Sequence, residues 1–242
     1  YEPDMIRFRP PWSIYQTRGE IENGTFWGRW HFAFDRYYDP EYVRFGRLRV
    51  LNDDTLSPGA VWPLHPHQDN EVVTYCAEGE FRHADERGLG GVLKKGWVQH
   101  TTVGKGMWHS EINNLPDQPM RFIQMWFTPE KKGLKPSVEQ KKVEASERTD
   151  KWLPLVSNKH KGALKIRSDA MVFSCHLRPG SELQYNLGRG RGAYMYVLEG
   201  GPVNLSPYEI PSLGAVMVVE QQKLRVTADS GAELLLVDVS DA

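Results

Sequence analysis

The chain has 242 residues, 40% of them hydrophobic and 25% charged, enough for one large β domain or two of about 100–120 residues. Lys+Arg 30 against Asp+Glu 31 leave a net charge of -1, so overall charge is excluded as a means of gathering nucleic acid or an anionic membrane surface. No apolar run approaches the roughly 18 residues of a membrane-spanning helix. Cys76 and Cys175 have no C-x-x-C spacing, lie in apolar runs and read as buried free thiols.

Residues 1–30 mix Arg, Pro and aromatic residues without a helical period and predict an irregular arm or an edge strand. The opening YEPDMIRFRPPW has no apolar core of a signal peptide, so a cytoplasmic location is expected. The chain starts at Tyr1 rather than Met, and residues upstream of it are expected. His31, between Trp30 and Phe32, reads as a structural histidine. Phe45, Leu48, Val50 and Leu51 predict a strand, with Leu51-Asn52-Asp53-Asp54 as the turn after it.

From Gly59 onward turn signals recur every 8–12 residues or so, at Glu78-Gly79, Glu86-Arg87-Gly88, Lys94-Lys95-Gly96, Gly104-Lys105-Gly106 and Asn113-Asn114. Short runs rich in Val, Tyr, Phe, Trp and Thr separate them, and MRFIQMWFTP closes the unit. That rhythm predicts an antiparallel sandwich or barrel.

Two short pieces of this unit carry chemistry: His65-Pro66-His67 and His109-Ser110-Glu111. Side chains alternate faces along a strand, so each i, i+2 pair projects from one side. Two such strands facing each other would bring His65, His67, His109 and Glu111 to one point. Imidazole and carboxylate suit first-row divalent metals. A divalent ion with one carboxylate stays net positive, which favours an anionic oxygen from a substrate. Unperturbed imidazoles would release the ion as pH falls through roughly 6. Ser110 faces away from its neighbours, so a serine hydrolase is not expected. His83, beside the charged Asp85-Glu86-Arg87-Gly88 hairpin, is expected to be exposed.

Residues 130–162 rise in charge, with lysines interleaved by Glu139, Glu144 and Glu147, and predict a solvated linker with one helical turn around 138–146. The β rhythm then returns. AYMYVLEGGPV at 193–203 parallels EVVTYCAEGEF at 71–81, and GAELLLVDV at 231–239 parallels QPMRFIQMWF at 118–127. This self-similarity predicts two copies of one β domain. The second copy has no HxH and no HSE, and its one histidine, His176, reads as structural. The predicted division is a metal-binding domain at 1–129, a linker at 130–162 and a degenerate copy at 163–242.

These residues resemble the cupin superfamily, and within it the pirin family. Gly59, His65, His67 and Glu71 fit the first cupin pattern; Gly106, His109 and Asn113 fit the second. In more detail, His65-Pro66-His67, Val73-Thr74-Tyr75 with Glu78-Gly79-Glu80, Val98-Gln99, and Gly104 through Glu111 are similar to pirin motifs. The similarity runs from YYDPEYVRFGRLRVLNDD to LLLVDV and looks closest to bacterial pirin-like bicupins. The chain departs at Gln68-Asp69, where pirins commonly have Arg-Gly, and at His100-Thr101, where many have Trp-Met.

The resemblance implies an all-β protein of two tandem cupin-type (jelly-roll) barrels, the C-terminal one lacking a metal site. It implies one divalent ion, iron first, with Mn, Co, Ni, Cu or Zn as substitutes, held by His65, His67, His109 and Glu111. Glu111 is preferred to Glu71 as the carboxylate ligand, because it stands two strand positions from His109 and shares its face. Glu71, Gln99, His100 and Trp108 are expected beside the ligands or in the pocket wall, and an apolar pocket is expected from Trp62, Phe81, Trp97, Met107 and Trp108. The implied activity is a quercetin 2,3-dioxygenase taking a flavonol-like molecule and O2 with release of CO, Glu111 serving as the base. The alternatives are a non-enzymatic iron-bearing regulatory protein working through a protein partner, or a cupin enzyme with another substrate. No direct nucleic-acid partner and no membrane partner is expected.

Overall fold

The structure, a computed structural model, describes residues 5–86, 90–220 and 222–242. The Arg87-Gly88 part of the predicted hairpin lies outside them. Among the described residues the regular structure is β-strand apart from short 3-10 turns. The first half comprises β1 (Ile6–Arg9), β2 (Tyr15–Ile21), β3 (Gly24–Trp30), β4 (Leu48–Leu56), β5 (Val61–His67) and β6 (Glu71–Glu78). It continues with β7 (Phe81–Asp85), β8 (Val92–Leu93), β9 (Val98–Thr102), β10 (Met107–Asn113), β11 (Met120–Phe127) and β12 (Ser137–Lys141). The second half runs through β13 (Leu153–Ser157), β14 (Leu164–Lys165), β15 (Ala170–Leu177), β16 (Glu182–Asn186) and β17 (Arg191–Gly200). It ends with β18 (Val203–Leu205), β19 (Tyr208–Ile210), β20 (Ala215–Val219), β21 (Lys223–Thr227) and β22 (Ala232–Ser240).

Each half is a large sheet closed by a small one. A seven-stranded sheet, β12-β9-β6-β11-β4-β3-β2, faces the four-stranded β5-β10-β7-β8; the second half repeats this with β1-β20-β17-β22-β15-β13-β14 and β16-β21-β18-β19. These are the two cupin barrels, and the large sheets pack against each other. The central strands are apolar on both faces because each face meets a core. In β11, Ile123, Met125 and Phe127 point between the barrels with Leu51, Val73, Tyr75, Tyr194, Tyr196, Leu235 and Val237. Phe122 points into the first barrel with Phe26, Trp30, Leu56, Cys76 and Phe81. In β22, Leu234 and Leu236 turn inward to the second barrel's core. Both cysteines are free and buried, and no helix is long and apolar enough to cross a membrane.

Three local expectations give way to tertiary structure. Asn52, Asp53 and Asp54 do not form a turn; they continue β4 and are buried. Their polar groups find distant partners. Arg121 donates to both Asp53 oxygens at 2.8 and 2.7 Å, Tyr196 Oη donates to Asp53 Oδ2 at 2.6 Å, and Trp30 Nε1 donates to Asp54 Oδ1 at 3.0 Å. Second, 130–162 is no free linker: β12 adds an edge strand to β9 across Ser137–Thr102 to Lys141–Val98, and β13 pairs with β15. The helical turn predicted around 138–146 is strand up to Lys141 and a 3-10 turn only at Ala145–Glu147. Third, residues 1–30 are not an irregular arm: β2 and β3 extend the first barrel's large sheet, and β1 alone crosses over, as an edge strand on β20 of the second.

Burial gives Asp54 a consequence that can be measured. Desolvation raises its carboxyl to about 8, opposed by the Trp30 hydrogen bond and reinforced by the charges of Asp53 and Glu111. A raised carboxylate contributes stability that is intact below the unfolded pKa near 4 and is lost as pH rises toward 8. Asp54→Asn keeps the acceptor oxygen and removes that loss. In chelator-treated protein the variant is expected to gain a few kcal/mol over the parent at pH 8, and about nothing at pH 4. Urea denaturation at both pH values checks this, and an advantage independent of pH would refute it.

Candidate metal centre

β5 and β10 are neighbours in the small sheet, and their register sets His109 opposite His65 and Met107 opposite His67, with an irregularity between His109 and Glu111. β5 is an edge strand, so it tolerates Pro63 and Pro66, which cannot donate to a ladder. The i, i+2 spacing then does what alternation requires. The ligand nitrogens of His65, His67 and His109 lie within 4.8 Å of one another. His109 Nε2 is 3.1 Å from His65 Nε2, and Glu111 Oε1 is 3.7 Å from His65 Nε2 and 3.9 Å from His109 Nε2.

The surroundings orient these groups. His65 Nδ1 donates to the Pro63 carbonyl at 2.7 Å, which leaves the lone pair on Nε2 pointing inward. Gln124 Nε2 donates to Glu111 Oε2 at 2.6 Å, turning Oε1 toward the histidines; Trp126 Nε1 in turn donates to Gln124 Oε1 at 3.2 Å. The His67 ring packs edge-to-face on Trp126 with centroids 4.9 Å apart. Desolvation, then the neighbouring His65, hold His67 down to about 4. Desolvation, then His65, His67 and His83, hold His109 down to about 2. Desolvation raises the Glu111 carboxyl, with His65 and the Gln124 bond opposing it. Three imidazoles and one carboxylate converge here, His109 and Glu111 buried and His65 and His67 half-buried, and they are a donor set that fits a first-row divalent ion.

The remaining predicted residues divide by strand face. Gln99 lies on the site's side, with Nε2 3.3 Å from His83 Nδ1. Trp108 is 46% exposed and, with Pro66, His67, Gln68, Glu86, Gly106 and Met107, lines an open cavity of ≈ 530 Å3 beside His67. Glu71 and His100 do not join the site. They are on the opposite face of β6 and β9, where His100 Nε2 meets Glu71 Oε1 at 2.9 Å and the Arg167 backbone N–H donates to the same oxygen at 2.5 Å. Alternation explains it: Val73, Tyr75 and Ala77 share Glu71's face, and that face meets the second barrel. Trp62, Phe81 and Trp97 belong to the packing of the first barrel rather than to a pocket.

His83 reverses its expectation. It is 3% exposed, lies directly across from Glu111 in the β7–β10 register, and its ring stands 5.2 Å from that of His109. Its i, i+2 spacing from Phe81 puts it on the buried face of β7, but nothing local marks the strand that lies opposite. In the second barrel, His176 Nδ1 pairs with Glu233 Oε1 at 2.7 Å, and Arg148 binds the other Glu233 oxygen. His31 is fully buried, with Nδ1 2.6 Å from Tyr194 Oη; its neighbours Arg9 and Tyr194 belong to the packing between the barrels.

Comparison with known proteins agrees with this architecture. Residues 14–127 match the family model described as Pirin, and residues 155–239 match the one described as Quercetinase C-terminal cupin domain. A pirin-like protein of Caulobacter vibrioides is 34% identical over 93% of this chain and 97% of its own length. The quercetin 2,3-dioxygenase of Escherichia coli is 30% identical over 92% of this chain and 95% of its own. The crystal structure of the bacterial pirin YhhW from Escherichia coli in complex with nickel(II) superposes with a TM-score of 0.89 at 26% identity, covering 98% of this chain and 100% of that one. With near full-length matches at these identities and both barrels accounted for, the chain belongs to the pirin family.

Proposed function

We propose that the protein is a metal-dependent dioxygenase that cleaves flavonols such as quercetin with O2, releasing CO. The convergence of His65, His67, His109 and Glu111 Oε1 carries the reading, and the names of the relatives support the substrate class. One divalent ion, iron or a first-row substitute, would be held by these four groups. When bound, it supplies Lewis acidity for an anionic flavonol oxygen and a meeting place for that anion and O2.

The chain's own residues do the rest. Glu111 takes the flavonol 3-hydroxyl proton at Oε1, loosening its hold as a ligand as it does so, while the Gln124 donor on Oε2 keeps the carboxyl in place. Burial raises the Glu111 carboxyl, so the carboxylate is a stronger base than it would be in water. The cavity beside His67 receives the flat rings between Trp108, Met107 and Pro66. The balance closes as flavonol plus O2 giving a phenolic ester acid plus CO. Loss of the flavonol absorption band in air, with CO evolved in equal amount, tests the reading. Metal-loaded protein that turns over no flavonol would overturn it in favour of the partner-binding alternative.

Acid release of the ion follows from the same burial. His67 and His109 stay neutral well below pH 6, so protons compete for them only near pH 4 and lower. Elemental analysis after dialysis from pH 7 to pH 3 is expected to show retention through pH 6 and loss around pH 4. Loss complete by pH 6 would contradict it.

A further inference from the structure

The ring pair His83–His109 has an unbalanced hydrogen-bond account. His109 Nδ1 is buried and has no partner; neither does the buried Nε2 of His83. The two rings stand 5.2 Å apart at 87°. On its other edge His83 continues outward: its Nδ1 is 3.3 Å from Gln99 Nε2, and Gln140 Nε2 is 2.7 Å from Gln99 Oε1. Gln140 comes from β12, in the stretch predicted as linker, and a Cβ at Gly91 would sit only 2.0 Å from its Oε1. A glycine there is what lets the amide approach. A side-chain row thus leads from the metal-facing imidazole, through the barrel wall, to an edge strand.

We infer that His83 is a positioning residue for His109, and that the row has one working direction. This rests on the ligand set proposed above. Once His109 gives its Nε2 lone pair to a cation, its one remaining proton is on Nδ1 and needs a buried acceptor. His83 Nε2 is that acceptor, through direct contact after a small ring rotation or through one water. His83 then carries its proton on Nδ1 and donates to a Gln99 oxygen, and Gln99 donates to a Gln140 oxygen. Both terminal amides can present either face at the same heavy-atom positions, so the whole row is set by metal binding at one end.

Co2+ affinity, by competition with a chromophoric chelator, and the visible bands of the Co2+ protein test the inference. His83→Phe fills the ring's volume and removes the acceptor. It is expected to weaken Co2+ binding about 10–100-fold and to shift the bands. His83→Gln returns an oxygen near the position of Nε2 and is expected to stay within about threefold of the parent. A folded His83→Phe with parental affinity and spectrum would overturn the inference. So would a His83→Gln as impaired as His83→Phe, which would reduce His83 to packing. If His83→Phe does not fold, nitrogen-15 spectra of the Zn2+-loaded parent decide: Nδ1–H tautomers at both His83 and His109 support the row, and an Nε2–H tautomer at His83 refutes it. Failure of the parent to bind Co2+ at all would instead refute the ligand set.

Discussion

His109→Ala is expected to empty the metal centre and to lower flavonol turnover by more than about 100-fold, since losing a ligand costs more than losing one of its outer partners. His109 is the most buried of the three histidines and meets every other group of the site: His65 Nε2 at 3.1 Å, Glu111 Oε1 at 3.9 Å, and His67 and His83 across ring contacts of 4.7 and 5.2 Å. Removing its imidazole leaves a two-histidine, one-carboxylate remnant with a gap at its centre. Ser110→Ala is the control. Its hydroxyl turns away from the ligands, 3.5 Å from the Ala84 carbonyl, so metal content and turnover are expected to be unchanged. Metal analysis and a quercetin absorbance assay on one preparation of each variant check both statements. A His109→Ala protein that keeps its metal would sink the four-ligand assignment.

Arg121→Ala carries the largest expected loss of stability. Asp53 is fully buried, and its two oxygens accept from the Arg121 guanidinium and the Tyr196 hydroxyl. Arg121 also donates to the Leu198 carbonyl at 3.1 Å, so one side chain ties β4, β11 and β17 together across the two barrels. Truncating it strands a buried carboxylate with one hydroxyl for company, at a cost of about 3–5 kcal/mol. Urea denaturation of the parent and Arg121→Ala checks the figure. Arg121→Met with Asp53→Asn removes both charges and is expected to recover most of the loss, because the penalty lies in the unpaired charge. A double variant as unstable as the single would contradict that account.

The parts of the fold and site that were legible in the sequence are those whose cause is local. Period-two spacing puts His65 with His67 and His109 with Glu111, and it needs no knowledge of the partner strand. The paired Glu-Gly turns after Tyr75 and Tyr196 betray the duplication in the same way. What could not be read depends on register between distant strands. His83 faces Glu111 only because β7 pairs with β10 at that offset, and FRHAD carries no mark of it. Glu71 sits at the spacing of a ligand but on the other face, where the second barrel's Arg167 backbone claims it. Asn52-Asp53-Asp54 has turn composition, and only Arg121, Tyr196 and Trp30, all remote in sequence, make a strand of it. The 130–162 stretch looks solvated because β12 is an edge whose outer side meets water.

The pairing of β1 with β20 also constrains how the molecule comes into being. Ile6–Arg9 leaves the ribosome long before its hydrogen-bonding partners, Val218 to Ala215, are synthesised. At the far terminus the Ser240 carbonyl accepts from the Arg47 N–H at 3.2 Å, back beside the start of β4. The first barrel can therefore collapse early, but its leading strand waits, and its large sheet keeps an apolar outer face until the second barrel arrives to cover it. Such long-range closure makes for slow folding and a sticky nascent intermediate. One strand from before the first barrel thus completes the second barrel's large sheet, and the two halves are tied by pairing as well as by packing.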